Sequence, residues 1–346
     1  MPRTRARSWV GLLIVTTAAY GAAQDLPYSA DEHWEQVCEK AKAGTLKEPS
    51  LTGPLASDKL AKCDETELYY GFSGKPNYAA ALQCGWYERA HPRESSGNMF
   101  AGPGVLTMLY ANGKGVQRDY ELAIRFACEE PWSSVAEYGS RIGHLEYLRD
   151  TKAQATDFDL CDDITSGLSQ GICERVVARA ADAERAVKIA AIAERLPAAA
   201  KALLPALEDA EKAFEEARIE TEIDLSGTAR AAFEIEDEMK LQDQFLINLQ
   251  RFARGDVPAA SAADLAKLDQ QLNAVYRQIQ HSSAQAWEFT TVKPEGIRRT
   301  QRSWLTLADA WEKFRVAAYP GLSAETMRAQ LIRLRLHQLR ALAPAE

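Results

Sequence analysis

Three stretches decide the fold: LDQQLNAVYRQIQ at residues 268–280, RRTQRSWLTLADAWEKFRVAAYPG at 298–321 and SAETMRAQLIRLRLHQLRAL at 323–342. Around the first, Leu265, Leu268, Leu272, Val275 and Ile279 recur at intervals of three and four, the spacing of one continuous α-helical face. Ser261 or Ala262 opens this helix, and Asn273 and Tyr276 are its polar exceptions. In the second stretch, Ile297, Gln301, Trp304, Ala308, Trp311 and Arg315 share one stripe of a helix over Glu295–Ala317, and Tyr319-Pro320-Gly321 ends it. Ser323 caps the last helix, where Met327, Leu331, Leu334, Leu336 and Leu339 alternate with Arg328, Arg333, Arg335 and Arg340. These arginines either lie along a leucine face with their heads in water or pair with acidic helices.

Upstream, Glu174–Leu196 and Ala198–Glu220 are rich in Ala, Glu, Arg, Lys and Leu. Pro197 between them disfavours helix at Leu196 and suits a first helical turn, so the two segments are expected as an antiparallel hairpin. Pro205 should kink the second arm or shift its start. The apolar spacing is helical but not a sustained heptad, which leaves a freestanding dimeric coiled coil as the alternative. Asp224-Leu225-Ser226-Gly227-Thr228 breaks the chain before a helix over Thr228–Ala253, which Gly255-Asp256-Val257-Pro258 ends. Phe233, Leu241, Phe245, Leu246 and Leu249 approximate its apolar face. Glu234, Glu236, Asp237 and Glu238 lie opposite as a solvated face or a partner surface.

Nearer the N-terminus, LYYGFSGKPNYAAALQCGWYERA at 68–90 resembles VLTMLYANGKGVQRDYELAIRFACE at 105–129. Placing Asn77 on Asp119 also places Ala81 on Ala123, a period of 42 residues, and the pattern is that of an αα-hairpin repeat. Glycines end each first helix, Gly71 and Gly74 in one copy and Gly113 and Gly115 in the other, with the first turn expected to be two residues shorter and Pro76 replacing Arg118. Asn77 and Asp119 stand where an N-cap should begin each second helix, and Ala81 and Ala123 permit close approach. A helix over Ser133–Arg149 would close the stack.

Arg3, Arg5 and Arg7 precede an apolar run from Trp9 to Val15, and Gly21, Ala22 and Ala23 offer a cleavage site, so residues 1–23 read as an export signal and the mature chain as starting near Gln24. An uncleaved anchor is the alternative, though the run falls well short of the roughly 20 residues a bilayer requires. Cleavage would change 41 basic against 49 acidic residues into 38 against 49, a formal charge of about −11, which disfavours nucleic acid and suits a basic partner. Six cysteines form an even set with no CxxC, which in an exported chain favours three disulfides over metal binding or free thiols. Cys63 precedes Gly71 by eight residues and Cys84 follows Asn77 by seven, positions that an antiparallel hairpin brings together. Cys161 and Cys173 flank a short segment and should close a local loop. Elimination then pairs Cys38 with Cys128, one of fifteen possible connectivities.

Two resemblances attach to these motifs. LYANGKGVQRD with Ala123 is similar to the Sel1-like repeat family, which implies a protein-binding helical scaffold over residues 24–150. The order Leu272-Asn273 with Tyr276, then Gln301 with Trp304, then the Arg/Leu helix resembles the LprI-type lysozyme-inhibitor-like family of bacterial envelope proteins. That resemblance implies a secreted binding protein and assigns Asn273 and Tyr276 to a buried core, bonded to neighbouring helices. It also makes CDDITSGLSQGIC at 161–173 the family's opening cysteine pair, displaced by insertion of the long hairpin and the helix after it, so the likeness spans 160–343 in split form. The cysteines that family members carry after the Gln-x-x-Trp helix and in the last helix are absent from FRVAAYPG and MRAQLIRLR.

Catalytic signatures are lacking. His33, His91, His144, His281 and His337 are scattered, with no HExxH and no Gly-x-Ser-x-Gly, and Gly113-Lys114-Gly115 lacks the Walker spacing. The expectation is therefore an all-α protein, a short αα-hairpin repeat unit followed by a bundle of long antiparallel helices. It would be exported to the periplasm or beyond, need no cofactor or metal, have no stable membrane insertion once processed, and bind a protein rather than catalyse. The partner is a basic lysozyme, or, alternatively, an envelope component held by a structural adaptor through the repeats.

Overall fold

The structure, a computed structural model, describes residues 29–46, 57–92, 98–130, 133–151 and 157–344. The leader expected at residues 1–23 lies outside them. Among the described residues there are thirteen α-helices, two short 3-10 turns (Leu160–Asp163 and Ala284–Trp287) and no strand. The N-terminal helices are α1 (Ser29–Ala43), α2 (Ser57–Leu60), α3 (Glu65–Tyr70), α4 (Tyr78–Ala90), α5 (Pro103–Asn112), α6 (Tyr120–Ala127) and α7 (Val135–Thr151). The long helices are α8 (Gly167–Arg195), α9 (Ala198–Glu222), α10 (Arg230–Arg254), α11 (Ala262–His281), α12 (Pro294–Ala318) and α13 (Ala324–Leu342).

The hairpins α3–α4 and α5–α6 share a left-handed glycine, a turn-closing backbone bond and a capping side chain at equivalent positions. Gly71 and Gly113 both adopt the left-handed conformation, φ 70° and 65°, where a side chain would be strained. The Asn77 N–H donates to the Leu68 carbonyl at 2.7 Å, and forty-two residues on the Asp119 N–H donates to the Tyr110 carbonyl at 3.0 Å. The same two side chains cap α4 and α6, accepting from the Ala80 and Leu122 amides at 3.1 and 3.0 Å. The spacing from glycine to cap is thus equal in the two copies, and the shorter first turn expected from its second glycine is not found. Ala81 and Ala123 are fully buried.

Three disulfides close this half of the chain, Cys38–Cys128, Cys63–Cys84 and Cys161–Cys173, and the described residues hold no free cysteine. One core gathers Tyr69, Phe100, Leu106, Leu109, Phe126, Leu145 and Phe158 with Cys173. Asn112 clamps its far edge: its side-chain amide donates to the Tyr69 hydroxyl and the Phe158 carbonyl, both at 2.8 Å, and its oxygen accepts the Phe158 N–H at 2.7 Å. The Cys161–Cys173 segment therefore packs on the repeat unit, although the family resemblance assigned it to the C-terminal module.

A second core joins α9–α13 and the end of α8, with Trp311 and Phe314 at its centre. Helix α8 belongs to both cores, through Ile172 and Val176 near its start and through Ile189 and Ile192 towards its end. It does not form the close hairpin expected with α9. Past the turn at Leu196-Pro197, α8 lies along α10 while α9 lies along α12. The reason is local to α9 and α12. Gly296 of α12 meets Thr221 so closely that an added Cβ would stand 2.7 Å from the threonine Cβ. Thr221 and Thr300 then share a hydroxyl hydrogen bond of 2.7 Å. Helix α9 starts at Ala198 and carries Pro205 within it, so Pro205 does not set the start of the arm.

Two sequence expectations for the core fail. Phe233 is 44 % exposed, because Ala232 and Ile235 take the inward positions of the first turns of α10 and Phe233 lies one step round the helix. Asn273 is likewise exposed, one step past the buried Leu272, and Tyr276 is half-buried against the second core. Among the described residues neither has a hydrogen bond to a neighbouring helix, which the resemblance implied.

Replacing Cys38 and Cys128 together by serine removes a staple that closes 90 residues, worth about 4.6 kcal/mol in the loop-closure account. Hydrogen exchange should show lost protection across α3–α7 with α11–α13 unchanged; equal loss in both would refute the independence of the two cores.

Candidate functional site

The C-terminal bundle is registered by charges rather than by leucines alone. Arg335 of α13 and Glu222 at the end of α9 have fully buried side chains and pair in a bidentate fork of 2.5 and 2.8 Å. Gln301 of α12 accepts from the Arg335 Nε at 2.9 Å, and Gln338 from its Nη1 at 3.2 Å. Arg218 donates to the same Glu222 at 3.2 Å and forks onto Asp237 of α10 at 2.8 and 3.1 Å. Four helices thus meet at one ionic joint. Of the two roles open to the arginines of α13, Arg335 takes pairing with an acidic helix end.

Directly after Glu222 the chain turns through residues 223–226 and is bonded to the link between α11 and α12. The Leu225 N–H donates to the Thr291 hydroxyl at 2.8 Å, and that hydroxyl donates to the Ile223 carbonyl at 3.3 Å. The Asp224 carboxylate accepts the Ser226 and Thr291 amides at 3.0 and 3.3 Å. These backbone donors, Ser226 first and Thr291 second, hold its pKa down to about 2.

The link itself, residues 282–293, is anchored at two points. Trp287 is buried and its indole N–H donates to the Ser282 hydroxyl at 2.7 Å, while Val292 is buried on the other side. The Lys293 ammonium closes the loop by donating to the carbonyls of Trp287 at 2.5 Å and Thr290 at 3.0 Å. Between these anchors stands Phe289, 89 % exposed, the most exposed of the large hydrophobic side chains among the described residues. Scattered surface leucines carry no message, but an aromatic ring held out by a bonded loop has the properties of an interface anchor: large contact area and little entropy left to lose. The loop offers shape and apolar contact, with the exposed Glu288 preceding Phe289 in the chain.

Of the motif residues, Leu272 and Trp304 join the second core, and Trp304 lies under the Arg328 guanidinium at 5.5 Å from its ring centroid. Gln301 serves Arg335, Tyr276 packs on the edge of the second core, and Asn273 is exposed. Phe289 went unmarked in the sequence, where the signal was an aromatic in WEFTT between two well-defined helices. The described residues hold no group of three or more His, Cys, Asp and Glu able to bind a metal, and no helix there is long and apolar enough to cross a membrane.

Residues 253–343, which include the Phe289 loop and Arg335, match the family model described as "Lysozyme inhibitor LprI". No curated protein and no solved structure matches the chain.

Removing one partner of a buried ion pair leaves the other charge stranded, so Glu222→Gln should lower stability by about 3–5 kcal/mol, while the paired change Glu222→Leu with Arg335→Met should recover most of it. Urea denaturation of Glu222→Gln, of the double variant and of its two component single variants decides; additive losses in the cycle would show that the two groups are not coupled. Asp224 has a depressed folded pKa, so its contribution to loop order is complete above about pH 4, the unfolded carboxylate value, and is lost as pH falls towards 2. The amide signals of Ser226 and Thr291 should titrate near pH 2 by NMR and stop doing so in Asp224→Asn.

Proposed function

We propose that the chain is an exported envelope protein that binds another protein, that its target is a lysozyme, and that Phe289 enters the substrate cleft of that enzyme. The observation that carries this is the family match over residues 253–343 together with the bonded, ring-presenting loop that lies inside it. Cleft occlusion asks for one rigid projecting anchor rather than for reactive groups, and affinity then resides in a few buried contacts. Three disulfides suit an oxidising compartment, which supports a periplasmic or secreted address with residues 1–23 as the leader. A formal charge of −8 on the full chain favours encounter with a basic enzyme.

A second reading rests on the two hairpins, whose turns coincide at a spacing of 42 residues. As a Sel1-like scaffold over 24–150, they would hold a periplasmic or outer-membrane component, making the protein an assembly adaptor.

The mature chain from Gln24, at near-equimolar ratio, should slow clearing of a peptidoglycan suspension by a c-type lysozyme. Phe289→Ala should weaken that inhibition at least tenfold with helicity and melting unchanged, since the ring is exposed in the free protein. Undiminished lysis at large excess of the protein would remove lysozyme as the target and put the adaptor ahead.

A further inference from the structure

The divergence of α8 from α9 leaves a cleft between them that α10 floors, a cavity of about 620 Å³. It lies wholly within residues 182–245, outside the stretch that matches the inhibitor family. Its walls are apolar: Ile189, Ala190 and Ala193 from α8, Leu204 and Ile219 from α9, and Phe245 from α10. On the α9 side, however, the stripe between Leu204 and Ile219 is carried by Glu208, Glu211 and Glu215. A helix that turns carboxylates inward at that spacing is not building a core.

Glu211 is the informative group. Its side chain is 8 % exposed, lines the cavity, and has no hydrogen bond or ion pair among the described residues. Glu211 is more than nine-tenths buried, yet its carboxylate lines the cleft with no protein donor, so that charge is left to whatever enters the cleft. The nearby cation does not answer it: Arg185 is committed to Asp182, to Asp243 at 2.6 Å and to Gln242 at 2.6 Å. Lys212 lies against Glu216 at 3.9 Å, both well exposed.

We propose that this cleft binds a small organic cation with an apolar body, an amphiphilic amine whose charged head seats on Glu211 and whose chain lies against Ile189, Leu204 and Phe245. The volume falls within the range of about 300–1,000 Å³ usual for small-molecule sites and exceeds what one inserted side chain would fill. Apolar walls with one convergent charge give orientation as well as affinity, and the cation supplies the partner that Glu211 lacks.

The site should respond to pH. Burial first, and the charge of Glu215 second, push Glu211 well above the usual carboxylate range. Burial, opposed by Gln242 and reinforced by Glu238, raises Glu215 to about 7. Facing these two are Asp182 and Arg185 from α8, Glu238 from α10, and Glu208, Lys212 and Glu216 from α9. Acids with raised folded values stabilise the empty protein least at high pH, because the folded state holds protons that rising pH removes. The empty protein should therefore lose stability as pH rises from the ordinary carboxylate range through about 7, and cation binding should strengthen in the same direction.

Calorimetric titration of the mature chain at pH 8 with n-octylamine, n-octanol and n-octanoate tests this. Saturable binding of the amine at one site is expected, at least tenfold tighter than the alcohol, with no binding of the acid. Its affinity should fall several-fold at pH 6 and at least tenfold in Glu211→Gln. Ala190→Trp, which fills the cleft from α8 and leaves every acid in place, should abolish binding, and this variant decides the matter if the glutamine variant does not fold. Equal affinity for amine and alcohol, amine binding that survives both substitutions, or no saturable amine binding would each overturn the proposal. None of these outcomes bears on inhibition through Phe289, which is read in a separate assay.

Discussion

The C-terminal half of this protein is organised around a pair of opposite charges placed where water cannot reach. Glu222 and Arg335 are 113 residues apart in the chain, and neither could be buried without the other. Their fork sets the height at which α13 sits against the end of α9, Gln301 fixes α12 to the same level, and Arg218 extends the joint to Asp237 on α10. A leucine face tolerates slippage by a turn, whereas a bidentate fork in a dry interior does not. The turn after Glu222 and the loop that carries Phe289 inherit their position from it.

The two halves solve stability differently. The repeat unit is built of short helices, several of ten residues or fewer, which cannot persist without help, and three disulfides with the Asn112 clamp provide it. Helices α9 to α13 have 19 to 25 residues and no cross-link, and hold through aromatic packing around Trp311 and the ionic joint. Helix α8 spans both regimes, which explains why the Cys161–Cys173 loop at its head packs with the first core while its tail serves the second.

What could be read from the letters follows the reach of each signal. Helical periodicity is local, so the all-α class, the starts of α11 and α13 and both ends of α12 were legible, and so were the glycine and cap of each repeat turn, which backbone geometry demands, though not the length of the first turn. The Cys63–Cys84 pair followed from that turn geometry, Cys161–Cys173 from nearness in the chain and Cys38–Cys128 by elimination. Facing was harder: Asn273 follows Leu272 directly and must point about a quarter-turn away, a rule that a family pattern cannot override. The buried ion pair left a trace that went unused, since Arg335 occupies the four-residue progression Met327, Leu331, Arg335, Leu339 on the inward face. The splay of α8 from α9 had no local signal at all, because it is decided by which helix α9 prefers, through Gly296 and the threonine pair far downstream.

Order of synthesis gives the late position of Arg335 a temporal meaning. A chain emerges N-terminus first, so α9 and its terminal acid are complete while more than a hundred residues are still to come. The repeat unit can collapse and oxidise in that interval, but the joint at Glu222 stays open until the final helix appears. Helix α13 thus acts as a latch: a product lacking it would keep its cross-linked front and leave the helices behind it unfastened and open to proteolysis.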